Sequence, residues 1–273
     1  MKKFQNIIAG LFIILISASC TSGTPKNQAK SIDNSQTSDT NLTSSSNQSS
    51  NPEMASVDHS AFDKLLKKNV SNGKVDYGAF VKDKAALESY ITYLGKIDAA
   101  KLSKNDQTAY WVNAYNASVI DKIVRNYPTK SIENIDGGKA FDEKLPFKFN
   151  GESLSLNDIE KKKLMGSDLF DARIHFAVNC AAVSCPTLQN LAYTGANIQS
   201  FLTSNTKAAL ANPAFNKISK EKASLSKLFD WYKADFVKAE GSVINFVNKY
   251  SSTKIDKNTK IDYLEYNWAL NGK

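Results

Sequence analysis

One run carries most of the chemistry this chain could do: Arg173-Ile-His175-Phe-Ala-Val-Asn179-Cys180-Ala-Ala-Val-Ser-Cys185-Pro186. A cysteine acts as a nucleophile through its thiolate, and it needs a base to form it and a group to orient the base. Pro186 is favoured in the first turn of a helix, so Cys185 is expected to cap a short helix over 186–190. The dipole and free N–H groups there would stabilise its thiolate. On this reading Cys185 is the nucleophile, His175 the base, and Asn179 or Asn113 the orienting or oxyanion group. Two plainer readings stay open. Cys180 and Cys185, five apart across a turn, can close a disulfide, which an exported protein would meet conditions to form. Both can also be inert buried thiols. A zinc site of Cys180, Cys185 and His175 has no evident fourth ligand, so neither metal nor cofactor is expected.

A second constellation is Trp111-Val-Asn113-Ala-Tyr115-Asn116-Ala. On a helix Asn113 and Asn116 share a side. Their neighbours are apolar on nearly all faces, so this helix should be central and buried. An unpartnered buried amide costs about 1–3 kcal/mol, so both asparagines must hold something, either loop backbone or a ligand. Trp111, Tyr115 and Arg173 join them as candidate binding residues. Asp158 and Glu160 read as a cap and a solvated helix face. No phosphate loop, dinucleotide fingerprint, serine elbow or HExxH is present.

The elements that must position these residues follow from spacing. Helices are expected over 58–68, 82–94 and from Ser103 until Pro128 forbids continuation. Lys74 to Tyr77 reads as a short strand. Phe147 to Leu156 reads as a hairpin through Asn150-Gly151, with Ser155 and Asp158 as a capping box opening a helix through Lys163. Apolar–polar alternation makes Arg173 to Cys180 a strand, with His175, Asn179 and Arg173 on one face and Cys180 on the other. Helices follow at 194–210, 226–236 and 242–250, then a tyrosine-rich strand at 261–268. Without regular βαβ alternation the class is α+β: a single domain whose central buried helix packs on a mainly antiparallel sheet.

The chain has 273 residues and a net charge of +8, and its averages are globular. They conceal three regions. Lys2 and Lys3 precede the apolar run Ile7–Ile16, then Ser17-Ala18-Ser19-Cys20, which is the pattern of a secretory signal over 1–19. The small residues before Cys20 resemble a bacterial lipobox, although Ser17 stands where leucine is usual. That makes Cys20 a lipidation site and the membrane a partner through an N-terminal lipid anchor. By resemblance to the sorting rules of two-membrane bacteria, the absence of Asp after Cys20 favours the periplasmic face of the outer membrane. From Cys20 to 55 the chain is Ser-, Thr- and Asn-rich and reads as a disordered tether. Residues 56–273 form the globular domain. The basic excess is a lysine-rich surface, and no motif for nucleic acid accompanies it. No oligomeric state is implied.

The Trp111–Ala117 block, Ser153-Leu-Ser-Leu-Asn-Asp-Ile-Glu160, the Arg173–Pro186 run and the tail Ile261-Asp-Tyr-Leu-Glu-Tyr-Asn-Trp268 together resemble the family called domain of unknown function 547 (DUF547). The resemblance is strong over 108–192 and weaker over the rest of the domain. It implies no mechanism, and relatives occur in bacterial envelope proteins and in plants and animals. A looser similarity is to papain- and transglutaminase-like folds, which also set a central helix before a strand carrying a histidine. Here the helix start has no cysteine, Asn113 occupies that region, and His175 precedes Cys185. Two functions are therefore carried forward: a non-catalytic module binding an envelope peptide or glycan through a polar Asn/His cleft, and a thiol-dependent hydrolase or acyl-transfer enzyme on peptide or amide bonds.

Overall fold

The helical spacing of Phe62, Leu65 and Leu66 produces α1 (Ser60–Asn69) in a computed structural model that describes residues 56–273. The signal at 1–19, the lipid site Cys20 and the tether over 20–55 lie outside the described residues. After α1 the chain reverses through Asn72-Gly73, both at positive φ, between β1 (Val70–Ser71) and β2 (Lys74–Val75). Asp76 caps α2 (Tyr77–Lys82) by accepting the Ala79 N–H, and α3 (Lys84–Leu94) follows. Ser103 accepts the Asp106 N–H and opens α4 (Lys104–Arg125), which is buried continuously from Thr108 to Val124. Its neighbours are mainly other helical segments, so the central helix is sheathed by helices rather than laid on a broad sheet.

β3 (Lys144–Phe149) and β4 (Glu152–Ser155) form the hairpin expected at Asn150-Gly151, whose φ values of 48° and 78° fit a type I′ turn. The Ser155–Asp158 capping box opens α5 (Leu156–Asp158), which runs on into a π-helical segment, Ile159–Leu164. α6 (Ile198–Ala211) ends ahead of Pro213. The last quarter contains β5 (Lys217–Ile218), β6 (Ala223–Leu225), α7 (Leu228–Trp231), α8 (Lys233–Glu240), α9 (Val243–Tyr250) and β7 (Ile261–Tyr263). β6 pairs antiparallel with β5 and parallel with β7. The fold is α+β, with short, mostly antiparallel strand pairs. Among the described residues no helix is long and apolar enough to cross a membrane.

Two apolar clusters make up the interior. One surrounds α4; the other gathers Phe176, Phe229, Phe236 and Phe246 under α7 to α9. The segment after Asp171 stitches them together and is not the expected strand. Ala172–Phe176 is a 3-10 helix, capped by Asp171, whose side chain accepts the Arg173 N–H at 2.9 Å. Its threefold period sends Ile174 into the first cluster and Phe176 into the second. The alternation seen in the sequence comes from a chain that lies between two cores, and Asp171 is the local signal that tips it into a helix. The expected helix over 186–190 is also absent, because Pro186 to Gln189 is irregular. The tail strand is confined to Ile261–Tyr263; residues 264–273 continue as irregular chain with isolated bridges.

Candidate functional site

The two mid-helix asparagines of α4 grip backbone. The Asn113 amide donates to the Tyr193 carbonyl at 2.7 Å and its oxygen accepts the Tyr193 N–H at 3.1 Å. Asn116 donates to the Ala177 carbonyl at 3.0 Å and accepts the Asn179 N–H at 2.8 Å. Neither amide points into an open cleft. Asn179 continues the chain of clamps: its amide donates to the Pro186 carbonyl at 2.7 Å, and its oxygen accepts the Ala181 N–H at 2.9 Å. The same oxygen accepts from the Asn271 amide at 3.1 Å. Loop 179–186 is thus held from below by α4 and from one side by the tail. The tail adds main-chain bonds, Asn271 N–H to the Ala181 carbonyl and Val183 N–H to the Ala269 carbonyl. Ala181 sits at φ +64°, a left-handed conformation that costs a non-glycine residue on the order of 1 kcal/mol or more and persists only where its surroundings enforce it.

This loop folds Cys180 and Cys185 onto each other. Both are free thiols, with the sulfurs hydrogen-bonded at 2.7 Å. The Cys180 N–H also donates to the Cys185 sulfur at 2.9 Å, and the Tyr266 hydroxyl lies 3.0 Å from the Cys180 sulfur. The two thiols are unequal. Cys185 is buried, and burial pushes its thiol well above the ordinary range, with Cys180 adding to the rise. Cys180 is half-buried. Burial works to raise its thiol too, but hydrogen bonds from Cys185, Tyr266 and the Ala182 backbone outweigh that and hold it below the usual thiol range. The sequence singles out Cys185; the structure makes Cys180 the more exposed residue and the more acidic thiol. The strand expectation hid this, because it aimed Cys180 into a core.

His175 occupies the seam between the two clusters and is 2% exposed. Its Nε2 is 2.9 Å from Asp235 on α8 and its Nδ1 is 3.8 Å from Glu160 on the π-helical segment. Tyr232 stacks on the ring at 4.0 Å between centroids. Neither sulfur is hydrogen-bonded to the imidazole; the partners of Cys185 are Cys180 and, at 4.0 Å, the Val178 carbonyl. Glu160, expected on a solvated face, is buried; the extra residue of a π-turn rotates it inward. Asp158 does cap α5, as expected, and pairs with Lys144 and Lys162. The Tyr232 hydroxyl is raised far above its ordinary range by burial and then by Glu160 and both thiols. Tyr232 thus stacks on the imidazole and also feels the charge of Glu160 and of the two thiols.

The remaining candidates are scattered. Arg173 is bound to Asp171, Thr203 and Gln199. Tyr115 is buried, and its hydroxyl is pushed up by burial and the nearby Glu160. Trp111 is mostly buried against Tyr110 and Phe149 and borders a shallow hollow of about 250 Å³ with Lys162 and Lys163. Among the described residues no group of three His, Cys, Asp or Glu side chains is set to hold a metal ion. Sequence reasoning missed Asp235, Tyr266 and Trp231. Trp231 is 45% exposed and packs with Tyr266 at 4.7 Å and Trp268 at 5.8 Å, so an aromatic shelf borders the Cys180 thiol through Tyr266. The clustered aromatics of Asp230-Trp231-Tyr232 and Tyr263–Trp268 were the only trace of it in the sequence.

The fold and site define an α+β domain with a clamped dithiol loop and a carboxylate-bound histidine. Residues 99–209 match the model of the family described as protein of unknown function, DUF547. That span carries both α4 asparagines, His175 and the whole dithiol loop, whereas Asp235 and the aromatic shelf lie beyond it. No curated protein and no solved structure matches the chain.

Proposed function

We propose that this chain is an exported envelope lipoprotein, tethered through Cys20, whose domain binds an extended peptide along the Trp231–Tyr266–Trp268 shelf. The observation that carries the binding reading is exposed Trp231 stacked on Trp268, with Tyr266 tilted against both and all three residues at least partly open to solvent. Large aromatics left in water at one place are the commonest anchors of binding surfaces. A peptide fits better than a glycan because the shelf continues to Val183, 46% exposed, whose N–H is joined to the Ala269 carbonyl beside Trp268. Aliphatic surface rewards apolar side chains and not sugar hydroxyls.

The hydrolase reading, with Cys185 as nucleophile and His175 as base, is weaker. The Nε2 of His175 is taken by Asp235, and Cys185 is the more buried and less acidic thiol. The binding reading is tested by titrating tryptophan emission with unstructured apolar peptides and, in parallel, soluble cell-wall glycan fragments. Saturable peptide binding that weakens at least about tenfold in Trp231→Ala is expected. Binding of glycan alone, or no loss in the variant, overturns it. The tether is tested by palmitate incorporation, which should vanish in Cys20→Ser; an unlabelled parent chain refutes it.

A further inference from the structure

We propose that Cys180 and Cys185 are a reactive dithiol that exchanges with disulfides, Cys180 attacking and Cys185 resolving. Three geometric observations carry this, independently of whether the shelf binds peptide. The sulfurs already touch at 2.7 Å, so the second thiol needs almost no movement to reach a sulfur bonded to the first. Access is asymmetric: Cys180 is half-buried at the surface and Cys185 is enclosed. A loop held by Asn116, Asn179 and Asn271, with Ala181 kept left-handed, fixes the pair in this contact.

What the sulfur lacks is as informative as what it has. Acyl transfer needs a proton for the leaving amine, and the imidazole that would give it is turned to Asp235. The nearest neighbour of Cys180 is another thiol, which is what a mixed disulfide requires for release.

The exchange balances as follows. The Cys180 thiol gives its proton to water and attacks as the thiolate on one sulfur of a substrate disulfide, the S–S bond breaks, and the leaving thiolate takes a proton from water. Cys185 then attacks the Cys180 sulfur and expels the second thiolate, which takes up the proton that Cys185 loses. Two electrons pass from the dithiol to the substrate, which ends as two thiols while the protein ends with a Cys180–Cys185 disulfide. The substrate class is a solvent-exposed disulfide, as in an oxidised thiol peptide.

The test uses the full chain carrying Cys20→Ser, reduced, freed of reductant and given one equivalent of oxidised glutathione. The expected product is an internal disulfide, lighter by two hydrogens with no glutathione attached, and two glutathione thiols released per chain. Cys185→Ala should stop at one stable glutathione adduct on Cys180. Cys180→Ser should react at least about tenfold more slowly. A stable glutathione adduct that persists on the unmutated dithiol, or no reaction at all, overturns the proposal, and that arm needs no substitution within the fold that might misfold. Exchange is read by mass with glutathione alone and no peptide present, whereas peptide binding is read by tryptophan emission, so failure of the peptide-binding reading and failure of this one are read separately.

Discussion

Replacing Asn116 by alanine removes one side chain and strands two buried backbone groups. The Ala177 carbonyl loses its donor at 3.0 Å and the Asn179 N–H loses its acceptor at 2.8 Å. Each orphaned group costs about 1–3 kcal/mol when water cannot replace its partner. Ala177 and Asn179 are 5% and 4% exposed, which leaves little room for water. Alanine recovers up to about 0.7 kcal/mol of helix propensity. The net expectation is a loss of about 1–5 kcal/mol. Ser118, two residues on in α4, provides the contrast: it is fully buried and its hydroxyl has no partner among the described residues. Ser118→Ala should therefore be neutral or stabilising by up to about 1 kcal/mol. Urea unfolding of both variants at unchanged slope measures this. The reasoning fails if Asn116→Ala loses under about 1 kcal/mol, or if Ser118→Ala loses as much.

Two further outcomes follow from the same structure. His59 is buried against the Tyr90 hydroxyl at 2.7 Å, and burial holds its imidazole down at about 4. The neutral ring is thus favoured in the fold; its contribution is complete above pH 6.5 and is lost as pH falls towards 4, by about 3 kcal/mol at the lower end. His59→Gln should flatten that limb of the urea-midpoint profile relative to the parent chain, and parallel profiles would count against burial as the cause. Gly272 is packed so that any Cβ would collide with the Val75 backbone. Gly272→Ala should cost about 1–3 kcal/mol and speed the alkylation of Cys180, because the displaced tail carries Asn271; unchanged alkylation would show that the tail does not brace the loop.

The helices and the hairpin were legible because their signals are local. Ser103, Ser155 and Ser242 cap where expected, and Asn150-Gly151 turns as the dipeptide demands. Burial of α4 was also readable, since its apolar residues leave no polar face. The segment 172–178 was misread because alternation was taken as a strand, when the residues are sorted between two cores that only tertiary structure supplies. The burial of His59 has no local signal for the same kind of reason: its partner Tyr90 is 31 residues away. The pairing of His175 with Asp235, sixty residues on, and of Cys180 with Tyr266, eighty-six on, had no local signal. Residue types named the chemistry; long-range contacts decided which sulfur and which carboxylate take part.

The bonds from residues 270–273 to the rest of the fold have a consequence for timing. Tyr77 donates its hydroxyl to Asn271 across 194 positions, and Val75 and Tyr77 exchange backbone bonds with Lys273. Contacts of such separation form late, after the loop entropy of the intervening chain has been overcome. A chain growing from its N-terminus would bury α4 long before this segment arrives to brace Ala181. Until it arrives, the loop that carries the two cysteines is held by α4 alone. The left-handed turn at Ala181 is thus the last part of the loop to be braced, because its partner Asn271 lies ninety positions further along the chain.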